Sequence, residues 1–251
     1  MSYKIKSKLL TSCLIGLSVL LLQGCFSAKS VIQKSNKKYP IPENNVHKDI
    51  PFYDNDAYPS VHFTYARQKE EALGLYNLLN GFDDFLIRIW INSPTGKGVQ
   101  EGELIEIRQT NGVWSGNFHS MNTSFAPSKN EEKVVDFKKF DIEPEYLSWN
   151  EVLAFLVEEG IFELKSLDKL DAYQKWPENK KGYPSGSSVI SFEVATKEMY
   201  RFYHYFALPN FMEIDEVRQV DTIIRFLKQE FNINALLNGV SDIIIYDLRE
   251  K

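Results

Sequence analysis

The chain has 251 residues, 43% of them hydrophobic, and a formal charge of −5. This acidic balance argues against a broad basic face of the kind that binds nucleic acid or anionic lipid. Both cysteines, Cys13 and Cys25, lie near the N-terminus, so the rest of the chain has no thiol for a disulfide, a cysteine-ligated zinc or a cysteine nucleophile. The length suits one large domain or two small ones.

The N-terminus has the layout of a secretory signal. Residues 1–8 carry Lys4, Lys6 and Lys8 and no acid, and residues 9–22 are mostly apolar. The apolar run of about 14 residues would measure roughly 21 Å as a helix, whereas a stable membrane span usually needs about 20 residues. The pattern therefore predicts an export signal over residues 1–24 rather than a permanent transmembrane helix.

The signal ends in Leu20-Leu21-Leu22-Gln23-Gly24-Cys25, which resembles the lipobox of bacterial lipoproteins. The resemblance implies that a lipid carrying fatty acids such as palmitate is attached to the Cys25 thiol, and that cleavage after Gly24 makes Cys25 the mature N-terminus. The alternative is an ordinary signal peptide in which Cys25 is only a small apolar residue. Cleavage would remove three lysines and no acid, which moves the formal charge from −5 to −8.

The residues after Cys25 bear on the location of the mature protein. Residues 26–30 contain no aspartate and no acidic cluster. By analogy with lipoprotein sorting in Gram-negative bacteria, this favours the outer membrane over retention in the inner membrane or export to the surface. We therefore expect a cell-envelope protein, lipid-anchored in the outer membrane and facing the periplasm.

Residues 25–60 are expected to form an extended tether. Proline disfavours helix in the second half of this segment, where it occurs at Pro40, Pro42, Pro51 and Pro59. The aromatic residues Phe52, Tyr53 and Tyr58 leave an alternative open, in which the end of the segment packs on the domain as a strap. Residues 61–251 are predicted to form a single domain.

The first predicted elements of this domain are a helix and several strands. Apolar residues at helical spacing predict a helix over Tyr65–Leu79, with Gly81 as its stop. Alternation predicts a strand over Phe85–Asn92. Asn111-Gly112 between two alternating runs predicts a hairpin, and a further strand is expected over Glu132–Phe140.

The second half adds two helices and a second hairpin. Ser148 and Glu151 have the spacing of a capping box, which predicts a helix ending at Glu159. Strands flank Thr196-Lys197, an amphipathic helix follows over Asp215–Phe231, and a last strand is expected over Asp242–Leu248. This order indicates an α+β fold, an antiparallel sheet of about five to seven strands with about three helices packed mainly on one face.

One segment of the domain is similar to known sequences. The run Tyr183–Glu193, followed by Tyr200–Tyr205, resembles a segment of uncharacterised bacterial exported proteins. In those proteins too a polar loop, a strand ending in an acid and a Tyr-Arg-rich strand precede a C-terminal helix. The resemblance covers about residues 148–231 and implies no activity.

The common catalytic and metal-binding motifs do not occur in the sequence. The histidines, which are His47, His62, His119 and His204, lack metal-ligand spacing, and we expect neither a metal nor a cofactor. No serine lies in a Gly-x-Ser-x-Gly elbow, and Gly96-Lys97-Gly98 lacks the rest of a phosphate-binding loop. Adjacent carboxylates are expected to be solvated surface charge, at Asp83-Asp84, Glu131-Glu132 and Glu158-Glu159.

A group of recognition-type side chains shares alternate positions on the predicted strands. If the apolar faces point inward, one outer face combines Arg88, Trp90, Arg108, Arg201, Tyr203 and Tyr205. Aromatic residues and arginine are enriched in binding surfaces, so this face is a candidate partner-binding site. One alternative is an ordinary solvated face with cross-strand ion pairs such as Arg88 with Glu106. The other is burial of the face under a helix.

Two functional hypotheses follow from these patterns. The first is a non-enzymatic, membrane-anchored lipoprotein that acts as an interaction or structural module, for example by neutralising a toxin, and its acidic charge would suit a basic protein partner. The second is a periplasmic hydrolase with a site assembled around His204, Glu193 and Arg201. A hydrolase requires these side chains to converge in a pocket, whereas an interaction module requires an exposed flat or grooved face.

Overall fold

The computed structural model describes residues 45–52, 59–94, 99–126, 131–177, 181 and 187–238. The export signal, Cys25 and most of the predicted tether lie outside the described residues, as does the last predicted strand over Asp242–Leu248. The described residues form an α+β fold built on one sheet.

Seven strands form this sheet: β1 (His47–Asp49), β2 (Phe85–Pro94), β3 (Val99–Thr110), β4 (Val113–Ala126), β5 (Glu131–Ile142), β6 (Val189–Thr196) and β7 (Met199–Phe206). Their order across the sheet is β1-β7-β6-β2-β3-β4-β5. The three-residue strand β1 is parallel to β7, and all the other pairs are antiparallel. The predicted sheet is therefore confirmed, with one parallel pair at its edge.

The turn between β3 and β4 is the hairpin that the Asn-Gly pair predicts. Asn111 has φ 53° and Gly112 has φ 75°, and Thr110 pairs with Val113 across the turn. A two-residue turn of this kind needs positive φ at both central residues, a conformation that asparagine and glycine adopt most easily. The turn sets the register in which Ile105 faces Phe118 in the core.

Helices cover both faces of the sheet. They are α1 (Val61–Leu73), α2 (Trp149–Glu158), α3 (Asp171–Gln174), α4 (Asp215–Glu230) and α5 (Ile233–Asn238). The four helices after β5 enclose the larger core, which includes Ile87, Ile105 and Phe118. The opposite face holds a smaller core with Phe63 and Trp90, and α1 covers it. Four of the five described helices thus lie on the face of the larger core, which agrees with the prediction of helices mainly on one face, and α1 is the exception.

Helix α1 is earlier and shorter than its pattern predicts. It begins after Ser60, whose side chain accepts a hydrogen bond from the Phe63 backbone N–H at 3.4 Å. It ends at Gly74, which adopts the left-handed conformation with φ 66°. Because that conformation suits glycine and closes a helix, the predicted continuation to Leu79 is replaced by a short turn over Leu78–Asn80.

The folded domain begins before Val61. Strand β1 lies beside β7, where the His47 N–H donates to the Glu198 carbonyl at 2.9 Å. Ile50 is buried in the smaller core, and the Ser60 N–H donates to the Pro51 carbonyl at 2.9 Å. The end of the predicted tether therefore packs on the domain, as the strap alternative requires, although Tyr53 and Tyr58 lie outside the described residues.

The capping box of α2 is present. The Ser148 side chain accepts from the Glu151 N–H at 3.4 Å, and the Glu151 carboxylate accepts from the Ser148 N–H at 2.8 Å. Each side chain satisfies a backbone donor that the first helical turn leaves unpaired. Helix α4 is also confirmed, with Val217, Val220, Ile224 and Leu227 on its buried side.

Candidate functional site

The six side chains predicted to form one exposed face do not lie together. Arg88 and Trp90 are both 1% exposed and lie beneath α1. Tyr203 and Tyr205 are buried in the larger core on the opposite face. The prediction of a shared outer face is wrong because both faces of the central strands are covered, which is the helix-burial alternative.

The other two predicted residues do not restore a shared outer face, although Arg201 lies over the Tyr203 ring, 5.4 Å from its centroid. Arg108 is exposed near the β3–β4 turn, where its Nε donates to Ser115 Oγ at 2.9 Å. Arg201 lies on the Tyr203 side of the sheet and is 7% exposed. Its guanidinium contacts the Asp49 carboxylate of β1 at 3.0 Å and donates to the Leu164 carbonyl at 2.7 Å. Arg201 thus fastens β1 and a loop to the sheet.

Beneath α1 the sheet carries buried polar side chains, and Glu193 of β6 is central among them. This carboxylate is 0% exposed. It accepts hydrogen bonds from Trp90 Nε1 at 2.6 Å and from the Tyr200 hydroxyl at 2.7 Å. It also forms an ion pair with Arg67 of α1. Because a buried charge is tolerated only when it is paired and hydrogen-bonded, these contacts fix α1 over the sheet.

Arg88 of β2 forms a second ionic contact under the helix. Its Nε donates to Glu106 at 2.8 Å, its Nη1 donates to the Tyr76 carbonyl at 2.8 Å, and Glu70 of α1 lies 3.5 Å away. Burial lowers the pKa of Arg88, and the nearby Glu106 carboxylate opposes that shift. The cross-strand pair of Arg88 with Glu106 exists as the sequence suggests, but it is buried.

Lys69 of α1 forms a third ionic contact under the helix, near strands β4 and β5. Its Nζ donates to Asn92 Oδ1 at 2.7 Å and lies 3.2 Å from a Glu132 oxygen. Thr123 donates to Glu132 at 2.7 Å. Glu132 is 1% exposed, so the expectation that the Glu131-Glu132 pair is surface charge is wrong for Glu132.

The three residues of the hydrolase hypothesis are not brought together. Glu193 is enclosed beneath α1, and Arg201 lies on the opposite face of the sheet. The His204 ring packs against His62, with ring centroids 4.7 Å apart. Burial, together with a smaller effect of the nearby Lys169 charge, lowers the pKa of His204 to about 4.

His119 of β4 is a second buried histidine. It is 2% exposed, and neither ring nitrogen has a hydrogen-bond partner among the described residues. Burial lowers its pKa to about 4, while the Glu106 carboxylate acts in the opposite direction. These environments favour neutral imidazole in the folded protein.

An exposed loop after β5, residues 143–148, presents apolar side chains on a fixed backbone. We call it the Tyr146 loop. The buried Glu230 carboxylate of α4 accepts from the Tyr146 and Leu147 N–H groups, both at 2.8 Å, and the Glu230 carbonyl accepts from the Glu145 N–H at 2.9 Å. The Tyr146 and Leu147 residues are nevertheless 68% and 37% exposed.

A shallow groove runs beside the Tyr146 loop. It has a volume of about 470 Å³ and is lined by Tyr146 together with polar side chains of α4 and α5, including Arg225, Gln229 and Asn234. The neighbouring Glu145 raises the pKa of Tyr146, chiefly through a hydrogen bond with its phenol. The loop and groove together form an exposed surface that is partly apolar and partly polar, a mixture that is common in protein-binding sites.

Sequence reasoning missed Lys69, Glu132 and Glu230 as structural residues. Their partners lie far along the chain, since Lys69 is paired with Asn92 and Glu132, and Glu230 holds a loop 83–84 residues away. No local motif marks such contacts. One signal in the sequence does indicate buried charge. Residues 67–70, Arg-Gln-Lys-Glu, are consecutive in a helix, so their side chains point to all sides of it and some of them must face the sheet.

Among the described residues, no group of three or more His, Cys, Asp or Glu side chains is placed to hold a metal ion. Over the same residues, none of the helices has the length and apolarity that crossing a bilayer requires. No family model, curated protein or solved structure matches the chain.

Proposed function

We propose that this chain is a lipid-anchored protein of the cell envelope whose folded domain is a non-enzymatic module for binding a protein partner. The proposal joins two parts, an anchor at Cys25 and a recognition surface at the Tyr146 loop. The anchor is supported by the lipobox-like sequence and the basic-then-apolar leader before it. Two or three lipid chains on one cysteine are enough for stable membrane attachment.

The observation that supports binding is the Tyr146 loop. Three hydrogen bonds to Glu230 hold its backbone while Tyr146 stays 68% exposed. A fixed loop loses little conformational entropy when a partner binds. Tyrosine is among the residues that contribute most to protein interfaces. The loop therefore has the two properties expected of an interface centre, an aromatic side chain and a preformed backbone.

The polar groups beneath α1 support the non-enzymatic part of the proposal, because they are paired with one another inside the domain. Glu193, Arg88 and Lys69 are each occupied by internal partners. Their role in the folded protein is to attach the helix that follows the tether.

The net charge of the chain also bears on the kind of partner. The mature chain would carry a formal charge of −8 after loss of the leader lysines, which favours association with a basic partner.

The anchor is tested by Cys25→Ser in the full chain. We expect this variant to lose incorporation of labelled palmitate and to move from the membrane to the soluble fraction of the envelope. Cys13→Ser is the matched control, since Cys13 lies inside the predicted signal and should leave both properties unchanged. If Cys25→Ser is processed and fractionates with membranes like the parent, the anchor is not at this cysteine.

The recognition surface is tested by capturing tagged protein from detergent-solubilised native membranes. Tyr146→Ala should reduce recovery of the co-purifying protein roughly tenfold or more, because truncation of a central tyrosine often costs about 2 kcal/mol of binding free energy. Tyr76→Ala is the matched control, since Tyr76 is also an exposed tyrosine, at 56%, and it lies beside Arg88 on the α1 side of the sheet. Equal recovery with Tyr146→Ala and the parent would rule out the loop as the interface.

A further inference from the structure

Lys69, Asn92 and Glu132 form a compact group under α1. Lys69 Nζ lies 2.7 Å from Asn92 Oδ1 and 3.2 and 3.4 Å from the two Glu132 oxygens. A carbonyl bond is about 1.23 Å long, so Nζ is also within about 4 Å of the amide carbon Cγ. That is close to the separation of about 3 to 3.5 Å at which positioned groups react.

The surroundings of the amine favour its nucleophilic form. Lys69 is 1% exposed, and burial lowers its pKa, against the opposing effect of the Glu132 carboxylate. The Trp90 ring, whose centroid lies 5.6 Å from Nζ, acts with Glu132 in the opposite direction, because an aromatic face stabilises an ammonium. In a dry site, transfer of one proton from Lys69 to Glu132 replaces two buried charges by two neutral groups. The result is a neutral Lys69 amine beside the Asn92 amide, in contact with the protonated carboxyl group of Glu132.

We propose that Lys69 and Asn92 join in an isopeptide bond, with Glu132 as the catalytic acid and base. The Lys69 Nζ lone pair forms a bond to Asn92 Cγ. Glu132 takes a proton from Nζ and delivers one to Nδ2, the Cγ–Nδ2 bond breaks, and ammonia leaves. No oxidant, metal or cofactor enters the balance, because one amide replaces another.

The position of Glu132 suits this role. Thr123 Oγ1 donates to Glu132 Oε1 at 2.7 Å, and the Glu132 N–H donates to Gln68 at 2.9 Å. The Thr123 contact orients the carboxyl group, and the Gln68 contact holds the Glu132 backbone beside α1. A reaction at this place would tie α1, the helix after the tether, to β2 in the centre of the sheet. The bond does not depend on lipidation or on partner binding, so its test is independent of the proposed function.

The test is the mass of the full chain purified from its native host and measured under denaturing conditions. We expect the body of the protein to be lighter than its sequence by one ammonia molecule. Digestion with trypsin should give a branched product in which Lys69, uncleaved, is joined to the peptide of residues 89–97, the fragment that contains Asn92. Separate Lys69 and Asn92 peptides at their unmodified masses would overturn the proposal.

Variants assign the roles within the group. Lys69→Arg and Asn92→Ala should each restore the full calculated mass, and Glu132→Gln should do so while both reacting side chains remain. Lys139→Arg, at an exposed position of β5, is the control and should keep the deficit. A deficit that persists in Lys69→Arg would place the lost ammonia elsewhere and overturn the assignment. The wild-type peptides decide the bond even if a variant fails to fold.

Discussion

Glu193→Gln is expected to lower the free energy of unfolding by about 3 to 5 kcal/mol, the usual cost of removing one partner from a buried ion pair. The substitution keeps the shape of the side chain but leaves the Arg67 guanidinium with one carboxylate fewer. It also replaces a charged acceptor of Trp90 and Tyr200 by a neutral one. Urea unfolding at pH 7 measures the change.

Glu198→Gln is the matched control for this experiment. Glu198 is an exposed glutamate in the turn between β6 and β7, five residues from Glu193. Its substitution should change the free energy of unfolding by no more than about 0.5 kcal/mol, as for most surface positions. Similar small changes in both variants would show that the contacts of Glu193 do not hold α1 on the sheet.

Acid is expected to destabilise the protein strongly between pH 6.5 and 4. The pKa values of His119 and His204 are lowered from 6.5 to about 4 by burial, so the unfolded chain binds these protons first as the pH falls. Stability from the neutral rings is complete above pH 6.5 and is lost progressively toward pH 4. At pH 5 each ring costs about 2 kcal/mol, or about 4 kcal/mol together.

The variant His119→Leu isolates one of these rings. Its ring nitrogens have no partners among the described residues, so an apolar side chain should be accepted. The difference in unfolding free energy between pH 7 and pH 5 should shrink by about 2 kcal/mol. Val135→Leu, at an exposed and non-titrating position of β5, should leave the difference unchanged. An unaltered difference in His119→Leu would show that this ring does not titrate as its burial requires.

Local signals in the sequence predicted the elements well. Asn111-Gly112 requires positive φ at two successive residues, and Ser148 with Glu151 satisfies the first turn of a helix, so each motif carries its own physical reason. The same reasoning placed β2, β6 and β7 and helix α4. It failed at the end of α1, because a left-handed residue at Gly74 ended the helix before the apolar pattern did.

The candidate site was harder to predict because the sheet is covered on both faces. Arg88 and Glu193 alternate with apolar residues, which is the pattern of a half-exposed strand. When a helix covers the second face, the polar side chains of the same pattern become buried. The side chains that neutralise their charges then come from elsewhere in the chain. The Tyr146 loop was missed for a related reason, since Glu230 stabilises it from 83–84 residues away.

The two edges of the sheet connect to different parts of the chain. The N-terminal segment enters through β1 at one edge, while the Tyr146 loop follows β5 at the other. With neighbouring strands about 4.8 Å apart, six spacings separate these edges by roughly 29 Å. The segment that leads to the proposed anchor and the proposed recognition loop thus leave the sheet at opposite edges, so attachment of one does not cover the other.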